Sequence, residues 1–330
     1  EPPLSDAAHK SCSDTPLARS DPFCEKIIDS HLHIWSDGQA PYQWVVDPPP
    51  ELQSTGTYET LIRSLESAGV SGALVVQPAN HKYDHSYVLD AISKCPELLR
   101  GMCLANPTLP VPEAVAELER LAEQGFVAVR FNPALFPDGL DSPVGKALFE
   151  KAGELVLPVG IMCFSGFTAQ APAIEALMKS SPDTTVVIDH WGFFRQPATG
   201  GLLGDAGVND EEAWEKLLAL AQYPQVYVKV SALFRVSGEP WPHEDLKLRL
   251  QQLLKAFGSY RLMWGSDWPF VTIGGNTPTS MALEYRKAVQ TLVMFQLQEL
   301  GPEQMEDIMW RTAYHLFQFS ECTDSCAIEW

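Results

Sequence analysis

Apolar residues along this chain follow two alternating patterns. Short runs dense in Val, Ile and Leu, bounded by turn-forming residues, occur at 27–35, 72–78, 100–106, 126–132, 158–164, 184–190, 226–232 and 262–267. Runs of that length and composition read as strands. Between and after them, at 58–68, 85–94, 112–123, 144–155, 169–179, 210–222, 243–256 and 279–297, apolar positions recur at helical spacing. Leu74-Val75-Val76 and Val186-Val187-Ile188 are continuously apolar, as expected of strands covered on both faces, and a helix after each strand favours parallel pairing. Eight such alternations predict a single α/β domain, a (β/α)8 TIM barrel, over 26–319. An irregular Pro-, Ser- and Asp-rich arm precedes it at 1–25, and a tail follows at 320–330. An open doubly wound sheet is the weaker alternative, because no Gly-rich phosphate loop follows the first strand. At 302–319 the stripe Met305, Ile308, Met309, Thr312 and Leu316 predicts a further packing helix.

The 330 residues, 45% of them hydrophobic, suffice for one large core. A net charge of −19 argues against nucleic acid or an anionic membrane as partner, so a small anionic substrate would have to be caught by a local arginine. No apolar run reaches the ~18 residues of a membrane span, and no basic-then-apolar signal opens the chain. The expectation is a soluble protein, intracellular (cytosol, or an organelle after loss of a targeting segment), with secretion as the alternative; the oligomeric state is not readable. Of seven cysteines, Cys95, Cys103 and Cys163 read as small buried hydrophobes. Cys12, Cys24, Cys322 and Cys326 could bridge the two arms, and the Cys322/Cys326 spacing is a poor match to a zinc site.

The predicted strand ends, where a barrel places its active site, carry the chemistry. Asp29, His31 and His33 alternate along the first strand, which predicts that all three project to one side, where they need a shared partner, water or metal. Gln77 ends the second strand and Asn106 the third; Arg130 and Asn132 end the fourth; Asp189 and His190 end the sixth; Lys229 and Ser231 end the seventh; Ser266 and Asp267 end the eighth. A buried Arg130 must either pair with a barrel carboxylate or receive a substrate carboxylate. Lys229 has no support as a Schiff-base lysine and is left outside the catalytic set. Asp267, between Trp264 and Trp268, is the better carboxylate candidate: burial should raise its pKa while nearby histidines lower it, a tension suited to a general base.

Three motifs then carry a resemblance: the Asp29-x-His31-x-His33 strand, Asp189-His190-Trp191-Gly192, and Trp264-Gly265-Ser266-Asp267-Trp268-Pro269. Together they resemble the amidohydrolase superfamily, in particular the amidohydrolase-related branch that includes pyrone-dicarboxylate lactonase, fuconolactonase and related lactonases and decarboxylases. The run from Val76 to His85 resembles the segment after the second strand in the dicarboxylate lactonases. By that resemblance His31 and His33 are the first-strand pair, His190 the sixth-strand histidine and Asp267 the eighth-strand aspartate. Met162 stands where metal-dependent members place a fifth-strand histidine, which speaks against a binuclear site. One zinc or manganese ion on His31, His33 and Asp267 is the alternative; no metal or other cofactor is favoured.

The resemblance implies a metal-independent hydrolase opening a small carboxylated lactone. Asp267 would activate water, His31, His33 and His190 would polarise the carbonyl, and Arg130 would clamp the carboxylate, with Gln77, His81, Tyr83 and Trp191 lining the pocket. A mononuclear metal-dependent amidohydrolase or non-oxidative decarboxylase is the second reading. A barrel that binds or regulates without catalysis is the third.

Overall fold

A computed structural model describes residues 26–194, 210–275 and 277–319. It contains eight parallel strands in sequential order: β1 (Ile28–Leu32), β2 (Gly72–Val76), β3 (Leu99–Leu104), β4 (Phe126–Phe131), β5 (Val159–Ile161), β6 (Val186–Ile188), β7 (Val226–Ser231) and β8 (Leu262–Gly265). The helices are α1 (Tyr58–Ala68), α2 (Ser86–Lys94), α3 (Val111–Glu123), α4 (Pro143–Glu154), α5 (Phe167–Ser180), α6 (Glu211–Ala219), the one-turn α7 (Leu233–Val236), α8 (Lys247–Phe257) and α9 (Pro278–Met294). Two short helices, α10 (Pro302–Glu306) and α11 (Thr312–Leu316), flank a π-helical turn at Asp307–Arg311. This is the predicted (β/α)8 barrel, and α1 shows how the sequence sets each boundary. Thr57 caps it by accepting from Thr60 N–H, Leu61, Leu65 and Ala68 face the core, and Gly69 ends it at φ 70°.

Two apolar layers result from the strand pleat. On β2, Ala73 and Val75 join the layer under the helices, whereas Leu74 and Val76 fill the barrel interior with Ile28, Met102, Ala128, Val187 and Met263. Ala313, Phe317 and Phe319 join that interior group, so the C-terminal segment plugs the barrel floor. Each fully buried Val, Leu, Ile, Met or Phe contributes about 1.5–3 kcal/mol. Continuous apolar strands are the expected result, and departures from them concentrate at the opposite end.

The barrel closes at the β1–β8 seam through bonds just past the strands. Asp267 N–H donates to His31 O at 2.8 Å, and His33 N–H donates to Trp268 O at 2.7 Å. Gly265 makes this approach feasible, since a Cβ there would lie 3.0 Å from both Cβ and N of His31.

Cys103 and Cys163 are buried free thiols, as expected. Cys95 corrects the reading: it is buried but disulfide-bonded, and its partner is not among the described residues. The expected pairing among Cys12, Cys24, Cys322 and Cys326 lies outside the described residues. Among the described residues, no helix is long and apolar enough to cross a membrane.

Candidate active site

A register shift between Asp29 and Leu32 in the β1–β2 pairing interrupts the alternation on β1. Such a bulge resets which face a residue takes. His31 and His33 consequently point into the barrel mouth, but Asp29 does not join them, contrary to the expectation from sequence. It accepts hydrogen bonds from Ser266 N–H (2.9 Å), Ser266 Oγ (2.5 Å), His31 N–H (3.1 Å) and the Tyr285 hydroxyl of α9 (2.9 Å). Asp29 thus staples β1 to the end of β8, and burial raises its pKa to about 6 against those hydrogen bonds.

The two inward histidines meet edge to edge. His31 Nε2 lies 3.3 Å from His33 Nε2, and His33 Nε2 lies 3.4 Å from Asp267 Oδ1. His33 Nδ1 is fixed by Val76 O at 2.8 Å. On the far side, His31 Nδ1 sits 3.1 Å from Lys229 Nζ and 3.3 Å from Asp189 Oδ1. Burial, reinforced by the Lys229 charge, holds the His31 imidazole neutral, its pKa well below the ordinary range. His190 bonds Ser231 Oγ through Nδ1 at 2.7 Å and presents Nε2 4.0 Å from Asp267 Oδ1; burial pushes its pKa down to about 3.

His190, Ala232 and Asp267, at the exits of β6, β7 and β8, have φ of 49°, 50° and 62°. Left-handed backbone at non-glycine residues costs on the order of 1–3 kcal/mol each, and here it turns the chain so that the side chains converge.

Three cations oppose the carboxylates. Arg130 Nε lies 3.4 Å from Asp189 Oδ2, Lys229 Nζ lies 3.3 Å from Asp189 Oδ1, and Arg235 Nε lies 2.5 Å from Asp267 Oδ2. Burial, the largest single influence, would raise both aspartates, but it is outweighed jointly by Lys229, His31 and Arg130 at Asp189 and by Arg235, His33 and His190 at Asp267, so both stay well below the usual carboxylate range. At Asp267 burial raises the pKa and His33 and His190 lower it, as expected, and the unanticipated Arg235 contributes the largest lowering. Arg130 takes the first of its two expected roles by pairing with Asp189, and it also borders the cavity.

That cavity encloses about 380 Å³ over the mouth of the barrel. Its polar floor is His33, His190 and Asp267; Lys82, Arg130 and Arg235 add positive charge; Met162, Phe164, Phe193 and Phe270 supply apolar wall. Gln77 lines it too, giving both amide hydrogens to the carbonyls of Lys82 and Asp84 at 3.0 and 2.8 Å and leaving its buried Oε1 unpartnered among the described residues. Three expected lining residues stand elsewhere. His81 is buried and accepts from Ser36 N–H at 3.3 Å, Trp191 is fully buried and stacks on Trp214, and Tyr83 is half-buried outside the cavity wall. Arg235 was not anticipated because it sits on α7 after β7, beyond the strand ends. Asp189 was visible at its strand end but was assigned no role.

The donor set also suits one metal ion. Two ligands at about 2.0–2.1 Å from a tetrahedral ion are separated by roughly 3.3 Å. The His31–His33 and His33–Asp267 contacts are 3.3 and 3.4 Å, and His31, His190 and Asp267 likewise bring one donor each within 4.8 Å of one another. Met162 on the cavity wall adds no further nitrogen donor to either set.

This geometry has relatives. An L-fucono-1,5-lactonase from Burkholderia ambifaria is 28% identical over 76% of this chain and 82% of its own length. A 4-sulfomuconolactone hydrolase from Rhizobium radiobacter is 27% identical over 77% and 80%. Among solved structures, one from Pseudomonas putida named as a 2-pyrone-4,6-dicarboxylic acid hydrolase superposes with a TM-score of 0.70 at 26% identity, covering 89% of this chain and 98% of that one. The amidohydrolase family model matches residues 28–319, nearly the whole described barrel, and the chain belongs to that family.

Proposed function

We propose that this hydrolase opens a small lactone that carries an anionic group, using side chains of the barrel mouth to activate water. The carrying observation is the joining of a His33, His190 and Asp267 floor to three cations, Lys82, Arg130 and Arg235, in one cavity. In a chain of net charge −19, so local a positive cluster suits an anion that the overall field would repel. The three relatives are named for lactones, and two of those lactones are anionic.

Asp267 divides its carboxylate between two tasks. Oδ2 is held by Arg235, and Oδ1 faces His33 and the cavity. A substrate anion that engages Arg235 weakens that ion pair and restores basicity to Asp267 as the ring carbonyl arrives. Asp267 then takes the proton of the attacking water, while imidazole N–H groups steady the oxyanion; each contribution is worth about 10²–10⁴-fold. The unpartnered Oε1 of Gln77 can accept from a hydroxyl of the substrate or of the ring-opened product.

A divalent ion, when bound by His31, His33 and Asp267 or by His31, His190 and Asp267, would polarise the carbonyl and acidify water. Charge favours the side-chain reading. Arg130, Lys229 and Arg235 already exceed Asp189 and Asp267 by one positive charge, and a divalent ion would add two more to a buried cluster.

The test is ring opening of three lactones by purified protein: 2-pyrone-4,6-dicarboxylate, 4-sulfomuconolactone and L-fucono-1,5-lactone. Higher kcat/KM on the anionic pair supports the proposal. Preference for the neutral sugar lactone removes the role of the cations.

A further inference from the structure

The cavity at the barrel mouth is larger than a lactone ring needs. An apolar cavity of about 150 Å³ suffices for one benzene-sized ring, and this one encloses about 380 Å³. A single ring engaged with the His33, His190 and Asp267 floor therefore leaves room for a second group of similar size. Among the described residues, the wall around that room is mostly carbon. Val46 comes from the loop after β1, Leu104 from the end of β3, Leu135 from the turn after β4, Met162 and Phe164 from the exit of β5, and Phe193 from the turn after β6. Phe164 and Phe193 meet edge to face, their ring centres 5.4 Å apart. The amide side chains of the wall already bond backbone: Gln77 gives both hydrogens to the carbonyls of Lys82 and Asp84, Asn80 Nδ2 donates to Val46 O at 3.0 Å, and Asn132 Oδ1 accepts from Ala134 N–H at 3.1 Å. Val46 and Phe164, by contrast, stand 47% and 42% exposed. Large apolar side chains left open to water beside a cavity gain when a ligand covers them.

We propose that the substrate is a molecule of two parts: an anionic lactone ring and, attached to it, an apolar substituent about as large as a phenyl group. The ring and its anion engage the floor and the cations, while the substituent lies against Val46, Phe164 and Phe193. A ring carrying several hydroxyls would instead set polar groups against carbon, where each loses its water without gaining a partner. This inference deepens the proposed function and rests on it for the lactone and the anion. The preference for a bulky apolar group comes from the size and lining of the cavity alone.

The experiment is calorimetry on the full-length protein with two stable ring carboxylates, 2-furoate and 5-phenyl-2-furoate, applied to wild type, V46S and F164S. Neither compound is a lactone, so binding needs no turnover. The proposal expects the phenyl compound to bind the wild type about 10–100-fold more tightly, the reach of one newly buried aromatic group, and each substitution to narrow that ratio by about threefold or more. Equal or weaker binding of the phenyl compound overturns it, as does a ratio that both variants leave unchanged. If a variant does not fold, the wild-type ratio and the other variant decide. A strong phenyl preference in a protein that opens no lactone fails the functional reading and leaves the apolar preference standing, whereas turnover of anionic lactones without a phenyl preference does the reverse.

Discussion

Arg235 grips Asp267 on the oxygen that the histidines do not use: Nε lies 2.5 Å from Oδ2, while Oδ1 lies 3.4 Å from His33 Nε2. Phe270 covers the guanidinium, 4.7 Å from its ring centre, so the pair is shielded from water on that side.

Replacing Arg235 by Met strands a buried carboxylate. Stability should fall by about 3–5 kcal/mol, the usual result of removing one partner of a buried ion pair. The Asp267 carboxyl, released from its cation, should titrate at higher pH, so the acid limb of kcat/KM moves up toward the ordinary carboxylate range. Denaturant melts and a pH–rate profile check both parts, and an unmoved acid limb would contradict the role given to Arg235.

Lys82 and Arg130 border the same cavity in different settings. Lys82 is exposed and Arg130 is buried against Asp189. K82M should therefore raise KM for an anionic lactone by up to about fivefold, the range of an exposed ionic contact, with kcat and melting temperature nearly unchanged. R130M should lower stability and kcat together, because it leaves Asp189 short of a cation. Equal effects of the two substitutions would show that burial does not separate them.

How far the sequence foretold this site follows from which signals are local. The eight strands were legible because both faces of each are buried, which writes continuous apolar runs into the chain, and His31, His33, His190 and Asp267 were legible because they interrupt those runs. Asp29 was misplaced because a bulge carries no composition signal and moves a side chain to the other face. Arg235 was missed because α7 is a single turn between strand and long helix, without periodicity to mark it. His81, Tyr83 and Trp191 were assigned to the cavity from neighbourhood in sequence; the turns after β2 and β6 direct them elsewhere, and Lys82 and Phe193 take the wall positions instead.

Buried neutral histidines make this barrel sensitive to mild acid. His85 donates through Nδ1 to Tyr83 O and accepts Leu104 N–H on Nε2, both at 3.0 Å, and burial pushes its pKa to about 4; His190 is pushed to about 3. In the unfolded chain these rings bind protons near pH 6.5. Between that pH and their folded values the unfolded state holds more protons, so stability falls as pH drops, by about 1.4 kcal/mol per unit for each such ring. Asp29 acts oppositely between the unfolded carboxylate value and about 6, since its raised pKa favours the folded state as pH falls. The histidines outnumber it, and the net slope should be acid-destabilising. Melting temperatures of wild type and H85Q from pH 7 to 5 check this: the variant should start lower but lose less, whereas parallel curves would contradict it.

Gly265 tests the seam directly. A methyl group there would press on His31 Cβ and N at 3.0 Å, so G265A should cost about 1–3 kcal/mol and shift the His31 ring. Activity should drop by more than the lost stability explains, with kcat reduced in protein that is still fully folded. A variant with wild-type kcat would mean that the seam does not set the position of His31.

The most direct measurement of the central claim is kcat/KM for an anionic lactone with protein freed of metal by chelation and verified by elemental analysis, taken beside D267N prepared the same way. The account predicts undiminished turnover by the metal-free wild type and a loss of at least about 10²-fold in D267N. Activity that disappears with the metal and returns in proportion to added zinc or manganese would contradict it.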